Sequence, residues 1–132
     1  MVNIRPANAL RAVALAVFAF ILVPASATAA ETALERIQRE GVLRIAMFGE
    51  DVPPFFYRDA QDNLVGIDPS LARDIAGKLG VKPVFVRSAE TFDEVVEQVR
   101  DGSADIAISL LSDTLDRAMR VTFSTSYVSV RQ

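Results

Sequence analysis

The chain has 132 residues, with 14 basic and 17 acidic side chains, a net charge of −3, and neither cysteine nor histidine. This composition excludes disulfides, the cysteine and histidine ligands of zinc sites, and histidine-dependent catalysis. The acidic balance without basic clusters argues against nucleic acid as a partner, and the length allows one small domain with a modest core.

The first thirty residues have the features of a secretory signal peptide. Arg5 and Arg11 give a basic start, and the apolar run over 12–23 is shorter than the ~20 residues of a comfortable membrane span. Small residues follow at cleavage spacing, so we expect cleavage near Ala30, with an uncleaved anchor as the alternative. Residues 31–132 would then be a periplasmic domain that uses no disulfides and is not inserted in the membrane.

Apolar spacing and chain breakers predict a helix and a strand at the start of this domain. Residues 32–40 form a short amphipathic helix that stops at Gly41, and residues 42–47 form the first strand. An aromatic loop over 48–58 follows, because its two consecutive prolines forbid a helix or a central strand. The loop is either one wall of a ligand site or a cover for the end of the core.

The second part of the chain continues the alternation of helix and strand. A helix begins at Asp68, which is predicted as its N-cap, and residues 82–87 form the second strand. Thr91 and Glu94 match a capping box for the next helix, and a strand-like segment over 127–131 comes last. This order predicts an α/β fold with an open, mainly parallel sheet and helices on both faces, in three layers.

The stretch from Asp105 to Ser124 has the most suggestive chemistry. Asp105–Leu111 is predicted as a strand covered on both faces, and Thr114 as the N-cap of a short helix that carries Arg117. In open α/β sheets, ligands bind beyond the carboxyl ends of the strands. Hydroxyls, helix-start N–H groups and a guanidinium would meet there, which is the chemistry of a carboxylate site. From the spacing alone, the alternative stays open that Thr114 only caps the helix and Arg117 is a solvated cation.

The mature chain resembles the amino-terminal lobe of periplasmic solute-binding proteins of the amino-acid type, the receptors of ABC importers. The fragments that carry this resemblance, in order, are Gly41–Ile45, Pro53–Phe56, Asp62–Asp68, Leu71–Ala76, Phe92–Asp93, Asp105–Ser109 and Thr114–Arg117, the last followed by Phe123, Ser124 and Tyr127. The resemblance implies the first lobe of a type II periplasmic binding protein fold. It also implies an amino acid or similar small carboxylate as ligand, a membrane ABC permease as partner, and no cofactor, metal or catalytic residue.

The resemblance assigns a role to each candidate residue. Arg117 corresponds to the arginine that pairs with the ligand carboxylate, Ser112 to a hydroxyl donor for the same group, and Phe92 to an aromatic that flanks the ligand. The family often has tyrosine where Val52 stands here, and Phe48 or Phe55 could substitute for it. Ser109 and Leu110, near the end of the predicted strand, correspond to positions whose backbone groups meet the ligand. The remaining predicted site residues are Phe48 and Phe55 from that loop and Thr114 from the helix start.

Proteins of this family have two lobes that close over the ligand, so we expect residues 31–132 to be an incomplete first lobe and the chain to be truncated. A ligand would stay exposed on one side and bind with millimolar affinity or not at all, unless a partner supplies the second jaw. We expect no enzyme, since Glu50, Asp51 and Asp113 are ordinary loop acids. The alternatives are a sensor module, a dehydratase-like or peptidoglycan-linked enzyme, and a half-lobe that binds a protein.

Overall fold

A computed structural model describes residues 30–129 of the chain. The predicted signal peptide lies almost entirely outside this range and stays a prediction. The described part has four helices and five strands, in the order α1 (Ala33–Glu40), β1 (Val42–Phe48), β2 (Tyr57–Arg58), β3 (Leu64–Val65), α2 (Ile67–Leu79), β4 (Lys82–Ala89), α3 (Phe92–Arg100), β5 (Ile106–Ala107) and α4 (Leu115–Ala118).

The main sheet has three parallel strands in the order β4-β1-β5. Ile45 in the central strand lies opposite Phe85 on one side and Ile106 on the other. Parallel neighbours need crossover connections, and these contain α2 on the way to β4 and α3 on the way to β5. A separate antiparallel pair, β2 with β3, closes the aromatic loop that the double proline predicted.

Apolar clusters cover both faces of the sheet. Successive side chains of a strand point to opposite faces, so Ile45 and Ala46, both fully buried, belong to different clusters. One cluster consists of Ile37, Leu43, Ile45, Ala72, Ala76 and Ile108. The other consists of Ala46, Ala89, Val95 and Ala104. Helices therefore pack on both sides of the sheet, which confirms the predicted three-layer α/β architecture.

A buried carboxylate fastens the start of β5 to β1. The Asp105 side chain is 1% exposed and accepts hydrogen bonds from the Arg44 backbone N–H at 2.8 Å, from the Arg44 guanidinium at 2.9 Å, and from Arg36 of α1. Burial acts to raise the pKa of Asp105, but the bonds from Arg44 and Arg36 outweigh it and hold the pKa at about 2. The carboxylate thus joins α1, β1 and β5 in its charged form.

Threonine hydroxyls begin three of the helices; the caps at Thr91 and Thr114 were predicted, whereas Thr32 was predicted as the first residue of a helix. Thr32 and Glu35 form a reciprocal capping box at α1, and Thr114 caps α4. At α3 the Thr91 hydroxyl accepts the N–H of Glu94 at 3.1 Å. The Glu94 carboxylate accepts the N–H of Glu90 rather than that of Thr91, so the reciprocal half of the predicted capping box is displaced by one residue.

The start of α2 differs from the prediction. The N-cap is Gly66 and Asp68 does not cap the helix. Loop carbonyls satisfy the first donors instead: Ile67 N–H donates to Pro54 and Asp68 N–H donates to Phe55. With its capping role taken by the loop, the Asp68 carboxylate is free to turn into the interior, where it is fully buried.

The predicted strand Asp105–Leu111 is also shorter than expected. The β5 ladder ends at Ala107, and Leu110 has a left-handed backbone with φ of 49°, which a β-strand does not accommodate. The predicted final strand over 127–131 is absent at 127–129, and its last two residues lie outside the described range.

Candidate functional site

The carboxyl ends of β1 and β5 lie side by side at the centre of the fold. The chain crosses from β1 to β4 on one side and later returns to β5 on the other. Neighbouring strands whose connections leave in opposite directions open a crevice beyond their carboxyl ends, where α/β proteins bind ligands. Phe48 ends β1 at this place, and Ser109 follows β5.

Ser109 and Leu110 form the floor between the two strand ends. The Ser109 side chain is buried, and its hydroxyl accepts the N–H of Phe48 at 2.9 Å. The Leu110 N–H donates to the Asp68 carboxylate at 2.9 Å and, more weakly, to the Tyr127 hydroxyl at 3.3 Å. Both predicted residues are thus at the crevice, but the Ser109 hydroxyl and the Leu110 N–H are already engaged with the protein.

Asp68 links three separate segments behind this floor. Its carboxylate accepts the Leu110 N–H and, at 3.0 Å, the hydroxyl of Tyr127. Burial raises the pKa of Asp68, and these two hydrogen bonds offset only part of that effect. Burial and the adjoining Asp68 carboxylate raise the pKa of Tyr127 as well. The left-handed backbone of Leu110 is therefore held from both sides by hydrogen bonds.

Two of the three predicted aromatic residues form a pair at the mouth of the crevice. The rings of Phe48 and Phe92 are stacked, with centroids 4.7 Å apart and an angle of 27° between their planes. Phe55 is not part of this pair; its side chain is half-buried, and its carbonyl holds the start of α2. Of the two rings that could replace the tyrosine, Phe48 is the one that belongs to the stacked pair.

Arg117 contacts the start of α3, next to the aromatic pair in sequence. Its Nε donates to the carboxylate of Asp93, the residue after Phe92, at 2.9 Å, and its NH1 donates to the Ser112 carbonyl at 3.3 Å. The Arg117 side chain is 17% exposed, whereas that of Asp93 is 60% exposed. The guanidinium therefore lies at the carboxyl ends of the strands, held on one edge by the protein.

Ser112 and Thr114 lie on the turn that carries Arg117. Ser112 is exposed, and its carbonyl accepts the Arg117 NH1. The Thr114 hydroxyl accepts the backbone N–H of Arg117 at 3.4 Å, so its role in the structure is to shape the turn. A cavity of about 460 Å³ adjoins this turn, lined on one side by 110–113 and on the other by 123–129.

Sequence reasoning missed three residues of this region. Asp93 was named only within a family fragment, Tyr127 only within a family fragment and the last strand, and Arg87 only as the end of the second strand. Arg87 lies near the end of β4 and donates hydrogen bonds to the loop after Phe48. An arginine close to the carboxyl end of a predicted strand is the one signal that would have drawn attention to it.

The described residues include no group of three or more side chains placed to hold a metal ion. Within the same range, each helix is too short or too polar to cross a membrane. The chemistry of the crevice is that of a guanidinium, an exposed hydroxyl and stacked rings, which suits an organic anion with an apolar or aromatic-compatible part.

Comparisons with known proteins agree with the α/β fold described above. A model of the bacterial extracellular solute-binding proteins, family 3, matches residues 43–132. The cyclohexadienyl dehydratase of Pseudomonas aeruginosa is 37% identical over 108 residues, which are 82% of this chain and 39% of the dehydratase. The chain thus spans about two fifths of that relative's length.

Two solved structures are similar to the fold. The ancestral amino acid-binding protein AncCDT-1, a precursor of cyclohexadienyl dehydratase, has a TM-score of 0.68 at 32% identity, over 74% of this chain and 41% of that one. A mutant of domain 1 from TmArgBP, in its arginine-bound form, has a TM-score of 0.66 at 33% identity, over 72% of this chain and 71% of that domain. The second match is to a single domain rather than to a two-domain protein.

Proposed function

Because the chain belongs to family 3 of the bacterial extracellular solute-binding proteins, we propose that it binds an amino acid or a similar small carboxylate at the carboxyl ends of β1 and β5. The observation that carries the proposal is the position of Arg117, whose guanidinium is anchored to Asp93, the residue after Phe92 of the stacked pair. Solute binding is the role that the family name describes; the ligand is the part proposed here.

The free edge of the guanidinium is the binding group of this proposal. Arginine has five N–H donors in a planar fork, and Asp93 and the Ser112 carbonyl engage Nε and NH1 of Arg117. Among the described residues NH2 has no partner, so NH1 and NH2 can together meet a carboxylate. The exposed hydroxyl of Ser112 is a second donor within the same turn.

The ligand side chain would then lie against the Phe48–Phe92 pair. In this arrangement Ser109, Leu110 and Thr114 support the site through hydrogen bonds within the protein, and Phe55 supports it through α2. The Asp93 carboxylate beside Arg117 reduces the net positive charge of the site. A carboxylate ligand without an amino group is therefore attracted less strongly than it would be by Arg117 alone. A zwitterionic amino acid suits such a mixed site.

We infer further that the protein is exported and delivers its ligand to a membrane ABC permease. The amino-terminal thirty residues support export, and the family is described as extracellular. The permease follows from the resemblance alone. Ligand binding by one lobe is supported by the TmArgBP relative, whose domain 1 has an arginine-bound form; we expect the affinity here to be near 1 mM, which corresponds to about −4 kcal/mol.

The test is a titration with L-arginine followed by NMR, because chemical shifts report millimolar binding. Arg117→Ala should weaken binding by about tenfold or more, the loss expected for a charged, bidentate hydrogen bond. The matched control is Arg120→Ala, whose guanidinium pairs with Glu97 and Asp116 and does not contact the aromatic pair. Equal affinities in wild type and Arg117→Ala would remove Arg117 from the site.

A second candidate function is the dehydration of a cyclohexadienyl substrate, which the 37% identity to a cyclohexadienyl dehydratase favours. Such a reaction needs a general acid at the ligand. Asp68 has the raised pKa of a candidate acid, but its side chain is fully buried behind Leu110. Incubation with a cyclohexadienyl acid, followed by the aromatic absorbance of the product, separates the two functions; turnover that survives Asp68→Asn would require another acid.

A further inference from the structure

We infer that Arg87 is a positioning residue for the ligand site: its guanidinium fixes the loop after β1 and so sets the ring of Phe48 against Phe92. This inference rests on the proposed function for its effect on binding. Its structural part, the dependence of the ring pair on Arg87, stands independently of any ligand.

One guanidinium holds four consecutive residues of the loop. Arg87 Nε donates to the Phe48 carbonyl at 3.1 Å. Its NH2 faces the carbonyls of Gly49 and Glu50 at 2.9 Å and 2.8 Å and the carboxylate of Asp51 at 2.9 Å. NH2 has two hydrogens for these three oxygens, so at least one hydrogen is shared between acceptors.

The arginine is itself held firmly. Its side chain is 11% exposed, and its guanidinium carbon lies 5.9 Å from the centroid of the fully buried Phe56 ring. Asp51 is fixed from its other oxygen, which accepts the Arg58 N–H at 3.0 Å. The hydrogen bond from the Arg58 N–H and, to a smaller extent, that from Arg87 hold the pKa of Asp51 below its usual value. Both the Arg87 guanidinium and the Asp51 carboxylate that it contacts are therefore held in place by other residues.

The loop also leaves little room for other arrangements. Gly49 donates its N–H to the Ala89 carbonyl at 2.9 Å, and a Cβ at Gly49 would lie 2.8 Å from the same oxygen. The chain after Phe48 is thus pressed against the end of β4 and tied to it by Arg87. Phe48 has its N–H bound to Ser109 and its carbonyl bound to Arg87, so both sides of its backbone are fixed, and its ring has a defined direction toward Phe92.

A lysine at this position could not replace the arginine. An ammonium group is a point donor, whereas the observed contacts extend along a fork from the Phe48 carbonyl to the Asp51 carboxylate. Arg87→Lys therefore keeps the charge but loses part of the hydrogen-bonding span. The variant separates positioning from simple electrostatic attraction of a ligand.

The experiment measures ring geometry and affinity in the same samples. We expect Arg87→Lys to weaken the Phe48–Phe92 ring NOEs and to raise the Kd for L-arginine by about threefold to tenfold, the range that corresponds to an aromatic contact. In a double-mutant cycle with Phe48→Leu, Arg87→Lys should add no further loss, because the arginine acts through Phe48. The matched control is Arg73→Lys, since Arg73 also bonds a carbonyl and covers a ring, that of Phe85, away from the loop.

The outcomes decide between the alternatives. Unchanged Phe48–Phe92 NOEs in Arg87→Lys overturn the inference. An unchanged Kd despite lost NOEs also overturns it, and so does a double mutant in which the losses of affinity from the two substitutions add. If the wild type itself does not bind L-arginine, the proposed ligand class fails, while the NOEs still decide whether Arg87 sets the ring pair. If Arg87→Lys does not fold, Asp51→Asn, which removes only the charged acceptor, should produce a smaller change in the same direction, and its absence overturns the inference.

Discussion

Buried polar side chains connect the strand ends in this protein. Asp105 binds β1 and α1 to the start of β5, Ser109 binds the end of β1 after β5, and Asp68 binds α2 to Leu110. Asp105 and Asp68 were predicted at element boundaries, whereas Ser109 was predicted inside a strand. Their partners could not be predicted, because a hydrogen bond between residues 42 to 69 positions apart depends on tertiary packing.

The acid side of the stability profile should depend on Asp105. Its pKa of about 2 lies below the ordinary value of 3.8, so its stabilisation is complete above the ordinary pKa and is lost as the pH falls toward 2. We expect Asp105→Asn to lower the free energy of unfolding by about 2 kcal/mol at pH 7. The difference from wild type should shrink between pH 4 and pH 2 in urea unfolding followed by circular dichroism.

The control for this prediction is Glu40→Gln. Glu40 also pairs with Arg36, at 3.4 Å, but its side chain is 39% exposed, so its removal should have little effect. A difference between wild type and Asp105→Asn that stayed constant down to pH 2 would contradict the assigned role of the carboxylate.

At the scale of elements, the presence of a helix or strand was easier to predict than its first and last residues. The helices, the first two long strands and the threonine caps follow from local chemistry, and each is present. The start of α2 and the end of β5 were misplaced for a different reason. The loop carbonyls of Pro54 and Phe55 replaced the Asp68 cap, and the left-handed Leu110 ended the strand; both are non-local effects that override a local pattern.

Gly66 is the element boundary that tolerates least change. Its φ is 123°, and a Cβ there would lie 2.3 Å from the Phe55 carbonyl oxygen. Gly66→Ala should therefore cost about 1–3 kcal/mol for the backbone strain, and more if the loop is displaced. Thermal unfolding measures this cost. The substitution should also change the ligand site, because the Phe55 carbonyl that it would displace belongs to the aromatic loop that begins at Phe48.

The same helix supplies a control of opposite sign. Gly77 lies inside α2, and a Cβ there meets nothing within 4 Å. Gly77→Ala should stabilise the protein by about 0.5–1 kcal/mol, since alanine loses less backbone entropy than glycine in a helix. If the two substitutions changed the stability by similar amounts, the close approach of Gly66 to the Phe55 carbonyl would not be the cause of the effect.

At the scale of the whole molecule, Tyr127 joins the last described segment to the body. Among the described residues, the two hydrogen bonds of the Tyr127 hydroxyl, with Leu110 and Asp68, are the side-chain hydrogen bonds that connect residues 124–129 with the rest of the protein. The hydrogen bonds of the serine side chains in this segment stay within the segment. The sequence predicted the site residues on α4 through the family likeness. It did not indicate this connection, because a tyrosine in an apolar stretch is as easily a core residue.

Tyr127→Phe should destabilise the protein in a pH-dependent way. The loss of the hydroxyl leaves the buried Asp68 carboxylate with one donor fewer, which raises further a pKa that burial has already raised. A carboxyl with a raised pKa in the folded state reduces stability as the pH rises through its ordinary value. We expect a loss of about 1–2 kcal/mol at pH 7 and a smaller one at pH 4.

Urea unfolding at the two pH values measures this difference, with Tyr57→Phe as the control, since Tyr57 donates no hydrogen bond from its hydroxyl in the described part of the chain. Equal losses at both pH values would mean that Asp68 is not the group through which Tyr127 acts.

The central position of β1 has a consequence for how the molecule folds. Its two partners follow it by roughly 40 and roughly 60 residues, so each backbone pairing of the main sheet closes a long loop, and long-range pairing makes folding slow. The complete three-stranded sheet cannot form before Ala107 has left the ribosome. The main sheet is therefore completed only when most of the domain has been synthesised.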